Sequence, residues 1–162
     1  MAFENTAIVG RDVIVLASLT NENEPPADAS FTALAATRGL EYGPEWDTAD
    51  TTARGTGSTR TSLVTFKNNN LSIDGLVLID NDFQLDVADH IEFPPESMNG
   101  QPYAWIRIVE PRADGATRIM DYPVSLSSFR KSAPYDSETT WTMEALAQAD
   151  PVPQDVPAPN GD

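Results

Sequence analysis

The chain has no cysteine, one histidine and only ten lysines and arginines in 162 residues, and each shortage removes a class of chemistry. Without cysteine there is no disulfide framework, thiol nucleophile or Cys-ligated zinc. His90 alone cannot supply the paired imidazoles of HExxH and related metal centres, and it leaves a Ser-His-Asp triad without a spare base. Twenty-five Asp and Glu against those ten bases give a net charge of −15, which repels the phosphates that a sequence-reading DNA or RNA binder must grip. No run of eighteen apolar residues is present, so no membrane span is expected. The opening MAFENTAIVGRD lacks a basic n-region and a long apolar stretch, so the mature protein is expected to start near Met1. An enzyme with this sequence has only carboxylates to work with. None of them stands out, so neither catalysis, a cofactor nor a bound metal is expected.

What is present points to β structure. Thirteen prolines and frequent threonines favour strands and turns. The length suits one domain, residues 1–150, followed by a linker-like Pro-rich tail, 151–162, reading PVPQDVPAPNGD. Strands are predicted over 6–19, around the apolar run Val13 to Leu16, and weakly over 31–37. Two more, 61–66 and 71–79, flank the turn KNNN. YAWIRIVEP (103–111) puts Ala104, Ile106 and Ile108 on one face, and 137–148 alternates Trp141, Met143 and Ala145. In 117–129, Met120, Tyr122, Val124 and Leu126 are in register, while Pro123 confines part of the strand to an edge or bulge. DFQLDVADHIEF fits two periods. Its odd positions are apolar apart from Asp89, yet Phe83, Val87 and Ile91 also fall at i, i+4 and i+8. Asp80 and Asp82 as N-terminal caps, with Pro94 and Pro95 as a stop, favour a short helix over about 82–92.

Two stretches are candidates for function. EYGPEWDTADTTARGTGSTR (41–60) is polar and turn-rich, and so long a connection within a compact domain is normally functional or disordered. It joins the acids Glu41, Glu45, Asp47 and Asp50 to Arg54 and Arg60. It also holds Trp46, whose ring must be buried either on its own domain or on a partner chain. Arg54, Arg60 and Lys67 lie in 51–73, a stretch without an acid and flanked by acidic neighbours, a pattern that can pair identical subunits head to tail in rings or filaments. The second stretch, 68–97, carries Asp74, Asp80, Asp82, Asp86, Asp89, Glu92 and Glu96 and no Lys or Arg. A calcium loop starting at Asp80 fails, because it needs Gly where Leu85 stands and Glu where Ile91 stands. Carboxylate pairs for glycoside hydrolysis can be drawn from these acids or from Glu41 and Glu45, but twenty-five acids make any such pair unspecific. His90, on the apolar side of the helix, reads as a packed, hydrogen-bonded imidazole, and Trp105 and Trp141 as core or strand-packing residues.

The order and spacing of GRDVIVLASL, FTALAATRGLEYGPEWDTADTTARGTGS, TSLVTFKNNNLSIDGL, YAWIRIVEP and PVSLSSFRKSAPYDSETTWTMEAL carry a resemblance over roughly residues 8 to 148. The chain resembles the major tail (tail tube) proteins of long, non-contractile-tailed bacteriophages. That resemblance implies a mainly β fold of two packed antiparallel sheets, sandwich-like or barrel-like, with one short flanking helix and a long loop or hairpin. It further implies a structural virion protein, made in the host bacterial cytoplasm, whose hexameric rings stack into a tube around the tape-measure protein. Tail-end proteins are its other partners, and viral DNA later passes through without specific binding. The acids from Asp74 to Glu96 then become candidates for the lumen, and 41–60 for the inter-subunit contact. Some relatives carry an immunoglobulin-like C-terminal domain where this chain has PVPQDVPAPNGD, which weakens any host-surface adhesion role. The alternative is a free-standing acidic β-sandwich, either a carbohydrate-binding module or a small carboxylate hydrolase.

Overall fold

Strand alternation sets the core. In the computed structural model, which describes residues 13–52, 57 and 59–158, ten strands form. They are β1 (Ile14–Ser18), β2 (Thr32–Ala33), β3 (Thr37–Glu41), β4 (Glu45–Asp50), β5 (Ser62–Asn68), β6 (Leu71–Leu76), β7 (Tyr103–Pro111), β8 (Thr117–Ser132), β9 (Thr140–Ala147) and β10 (Val152–Val156). One α-helix, α1 (Asp82–Glu92), lies between β6 and β7. Every second residue of β1, β6, β7, β8 and β9 points to one cluster: Val15 and Ala17; Leu71 and Ile73; Ala104, Ile106 and Ile108; Tyr122, Val124 and Leu126; Trp141, Met143 and Ala145. The in-register sets predicted for β7, β8 and β9 are the ones buried, except that Met120 of β8 is only partly so.

The architecture is the expected one, mainly antiparallel β with one helix and a hairpin, but its two sheets are very unequal. The large sheet runs β2-β1-β7-β8-β9-β6-β3 with β10 added beside β8, and the small one is β4-β5. The large sheet curls. Its strands β1 and β3 line a common cavity of about 310 Å³ with Val13 and Tyr42, and the Tyr42 phenol, just past β3, donates to Glu110 of β7. Among the described residues no ladder between β1 and β3 closes it into a barrel.

Several local expectations are corrected. The single strand over 31–37 is two, β2 and β3, because the chain reverses between them with Ala36 in the left-handed region (φ 56°) and Thr37 Oγ1 bonded to the Leu34 carbonyl at 2.8 Å. KNNN is not a hairpin turn. β5 pairs with β4 and β6 with β3 and β9, since only β6 has an apolar face for the core. The Pro-rich tail is not a linker up to Val156, because β10 pairs with Thr117–Asp121 of β8. What was predicted before Val13 lies outside the described residues.

Pro123 lies well inside β8 but at a local edge, paired there with β7 alone. Its carbonyl accepts from the Gln148 amide at 2.8 Å, so its missing N–H faces the same side of the strand. That side is a gap, with β10 pairing up to Asp121 and β9 from Val124 onward.

The helical period wins over 82–92. Neither Asp80 nor Asp82 is the cap: the Asn81 side chain accepts from the Gln84 amide at 2.9 Å. Gln84, Val87 and His90 are buried. Gln84 pins the helix to the sheet, donating to the Ala35 and Leu76 carbonyls (3.1 and 3.0 Å) and accepting from the Leu78 amide (2.9 Å).

The opposite face of β1, β7 and β8 is covered by the segment leading to β2. Trp105 Nε1 donates to the Glu22 carbonyl (3.0 Å), and Arg107, stacked 4.1 Å over the Phe31 ring, holds Asp121 through two bonds and Asp28 through one at 2.7 Å.

Candidate functional site

The polar stretch 41–60 contributes to two separate parts of the fold. Glu41 ends β3 inside the large sheet, opposite Ser72. Glu45, Trp46, Asp47 and Asp50 form β4, whose register with β5 pairs Trp46 with Lys67, Thr48 with Val64 and Ala49 with Leu63. Arg60 stands exposed just before β5, and Arg54 lies outside the described residues.

Threonines extend the hairpin beyond its strands. The Thr51 amide donates to the Thr61 carbonyl at 3.0 Å, the Thr61 amide to Thr52 Oγ1 at 2.9 Å, and Thr65 Oγ1 to the Asp47 carbonyl at 3.1 Å. At the end of β4, the side chain and amide of Thr52 hold the Asp50 carboxyl below the usual carboxylate range, the amide donating to Oδ1 at 2.8 Å.

Every residue of β4 and β5 is exposed. Leu63, Val64 and Phe66 are 60%, 52% and 74% accessible, and Trp46 is 46% accessible. Trp46 does not fold back into the core. Its ring lies under the Lys67 ammonium, 5.7 Å from the centroid, and Lys67 also pairs with Asp150 at 2.6 Å. A two-stranded ribbon is marginal in water by itself, and one with apolar groups on both faces is a surface that another protein chain would cover.

Sequence reasoning placed Trp46 here but missed Leu63, Val64 and Phe66 by reading 61–66 as an ordinary strand. The signal was available: adjacent Leu63 and Val64 in a strand point to opposite faces, so one must leave any single core.

The seven acids from Asp74 to Glu96 do not share one surface. Asp82, Asp86, Asp89 and Glu92 are exposed on α1, with Asp80 before it and Glu96 after it. Asp74 belongs to the other side of the sheet, since its neighbours Ile73 and Gly75 face the core. There it joins a polar face made of two rows across β3, β6, β9 and β8: Glu41, Ser72, Glu144 and Ser128, then Gly39, Asp74, Thr142 and Arg130. Asp74 packs so closely on Gly39 that a methyl group there would meet its Oδ1 at 2.1 Å. Glu144 was readable as an outward residue from the alternation of Trp141, Met143 and Ala145. Among the described residues no group of three or more acids or histidine is placed to hold a metal ion.

The remaining residues singled out in the sequence pack as expected. His90 is buried, its Nε2–H donating to the Tyr103 carbonyl at 2.8 Å. Trp141 is fully buried, donates to the Leu76 carbonyl at 2.9 Å and stacks on Phe129 with centroids 5.4 Å apart. Burial and the neighbouring Glu110 push the Tyr42 and Tyr122 phenols above their ordinary range. Among the described residues no helix is long and apolar enough to cross a membrane.

No protein-family model matches the sequence, and no curated protein matches it. Solved structures do share its fold. A chain from the tail of an empty gene transfer agent particle, refined with C6 helical symmetry, is 16% identical at TM-score 0.64, covering 90% of this chain and 98% of that one. The tail tube of SPP1 gives TM-score 0.68 at 10% identity, over 94% of this chain and 81% of that one. A chain of the anti-feeding prophage baseplate, 6-fold symmetrised, gives 0.61 at 14% identity, over 93% and 97%. The fold is therefore that of tail tube subunits, as the sequence resemblance implied.

Proposed function

We propose that this chain is a structural subunit of a phage tail tube, a virion protein that stacks as hexameric rings and leaves an acidic conduit for DNA. The observation that carries this is the β4-β5 hairpin: it exposes four large apolar side chains and contributes none of them to the core. A monomeric binding module or hydrolase has no use for such a ribbon, whereas a self-assembling subunit has. The shared fold supports the same reading, because the similar chains come from tails and a baseplate.

In this reading the hairpin, with Glu45, Trp46, Asp47, Asp50, Arg54 and Arg60, connects one ring to the next, and repeating the contact around a ring multiplies its strength. The channel wall is the uncovered face of β3, β6, β9 and β8. Its Ser, Thr and Gly positions need no protein cover, and its acids Glu41, Asp74 and Glu144 outnumber the base Arg130, so the net charge of the wall repels DNA phosphates and the genome slides instead of sticking. The acids around α1 serve contacts between copies instead. A tape-measure protein inside the tube and tail-end proteins at its tips are the remaining partners. Negative-stain microscopy and hydrodynamic mass test the proposal directly. Rings or tubes are expected; a protein that stays a single 17.6 kDa species at high concentration overturns it.

A further inference from the structure

α1 leaves a second apolar surface uncovered. Leu85 is 56% exposed in the middle of the helix, and Ile79 and Phe93, beside its two ends, are 105% and 74% exposed. Around Leu85 the same stripe carries Asp82, Asp86, Asp89 and Glu92, opposite the buried Gln84, Val87 and His90. The stripe is unfavourable in an isolated chain. Its acids stand at i, i+3 and i, i+4 from one another, and Asp89 and Glu92 sit at the helix end where the dipole favours cations. The basic residue of that last turn, His90, is turned inward to the Tyr103 carbonyl. A partner surface that is apolar and basic would relieve both defects.

This chain presents such a surface. Residues 51–73 contain no acid, and their strand β5 exposes Leu63, Val64 and Phe66 beside the exposed Arg60, while Lys67 at its far end is already paired with Asp150. We infer that the α1 stripe of one copy is the seat for the β4-β5 hairpin of a second copy, with Leu85 and Phe93 meeting the apolar side chains of β5 while the carboxylates face Arg60. This rests on the self-assembly proposed above and names the surface that receives the hairpin.

The absence of cysteine makes the test clean. Chains carrying Phe66→Cys are mixed with chains carrying Leu85→Cys and oxidised mildly during assembly. Disulfide-linked pairs of one chain of each kind are expected, at least tenfold above those formed when the second cysteine is placed at Tyr135, which is more exposed than Leu85. As an independent measurement, Arg60→Glu should raise the concentration needed for assembly, and Asp86→Arg in the same chain should restore it. Either the selective cross-link or the rescue upholds the seat. Tubes that form with neither overturn it while leaving the tube reading intact, and failure of the unsubstituted protein to assemble overturns both.

Discussion

Replacing Phe66 and Leu63 together by serine separates assembly from folding. Both side chains belong to β5, and neither enters the core, so the isolated domain should lose no more than about 1 kcal/mol, at the usual limit of about 0.5 kcal/mol for each surface change. For a chain of this size that is a shift of less than about 4 °C in the thermal transition. Assembly should respond differently. Burying a whole Phe or Leu side chain stabilises by about 1.5 to 3 kcal/mol. With 74% and 60% of the two residues still open to solvent, a neighbouring copy that covers them gains about 3 kcal/mol per contact. At 1.4 kcal/mol per factor of ten, the serine variant should need roughly 100-fold more protein before it sediments as polymer. Scanning calorimetry on dilute protein and a sedimentation titration read the two quantities separately. An unchanged threshold shows that the hairpin is not at an interface. A fall of more than about 5 °C in the transition shows that these side chains already support the domain, which contradicts the exposure argument.

Three further outcomes test the fold. Asp121→Ala strands the Arg107 guanidinium in a buried site beside Asp28 and should cost about 3 to 5 kcal/mol by denaturant titration; the apolar pair Arg107→Met with Asp121→Leu should recover most of it. Gly75→Ala drives a methyl group to 2.4 Å from the Ala36 carbonyl and 2.8 Å from the Trp141 ring, so it should destabilise by about 3 kcal/mol, and a loss under about 1 kcal/mol shows that β3 can shift aside. The Tyr42 and Tyr122 phenols are raised by burial and by Glu110, so the unfolded chain releases these protons first. Their stabilisation is complete below the ordinary tyrosine pKa of about 10 and is lost as pH rises beyond it; Tyr42→Phe should flatten that alkaline fall in melting temperature.

Where one face of an element is buried, its period was legible. The alternations of β7, β8 and β9 located the core residue by residue, and the 3.6-residue spacing of Val87 and Ile91 located α1. Legibility failed where burial did not supply a pattern. β4 reads as polar loop because both of its faces are exposed, so only Thr48, the threonines just past its end and its partner strand mark it as β. β10 was hidden by Pro153 within it and by Pro151 and Pro157 on either side, tolerated because the strand is paired to β8 along one side only. The acids from Asp74 to Glu96 form one run in the sequence but not one surface, because a strand and a helix carry them to opposite sides of the sheet. Composition shows the total charge of such a run; only the register of β6 shows where Asp74 points.

The division of apolar residues between core and hairpin bears on how a chain of charge −15 would polymerise under the proposed function. Repulsion between copies acts over the Debye length, about 8 Å at physiological ionic strength, so it opposes approach more than it opposes a contact already made. Association therefore has to come from short-range apolar burial aided by locally opposite charge. This chain keeps both in one place: its acid-free stretch coincides with β5, the strand that exposes Leu63, Val64 and Phe66. The core, meanwhile, is complete without that strand. Folding and assembly thus draw on different residues. The domain can be stable as a dilute, self-repelling monomer, and in the proposed assembly concentration, not a change of fold, decides when the hairpin is covered.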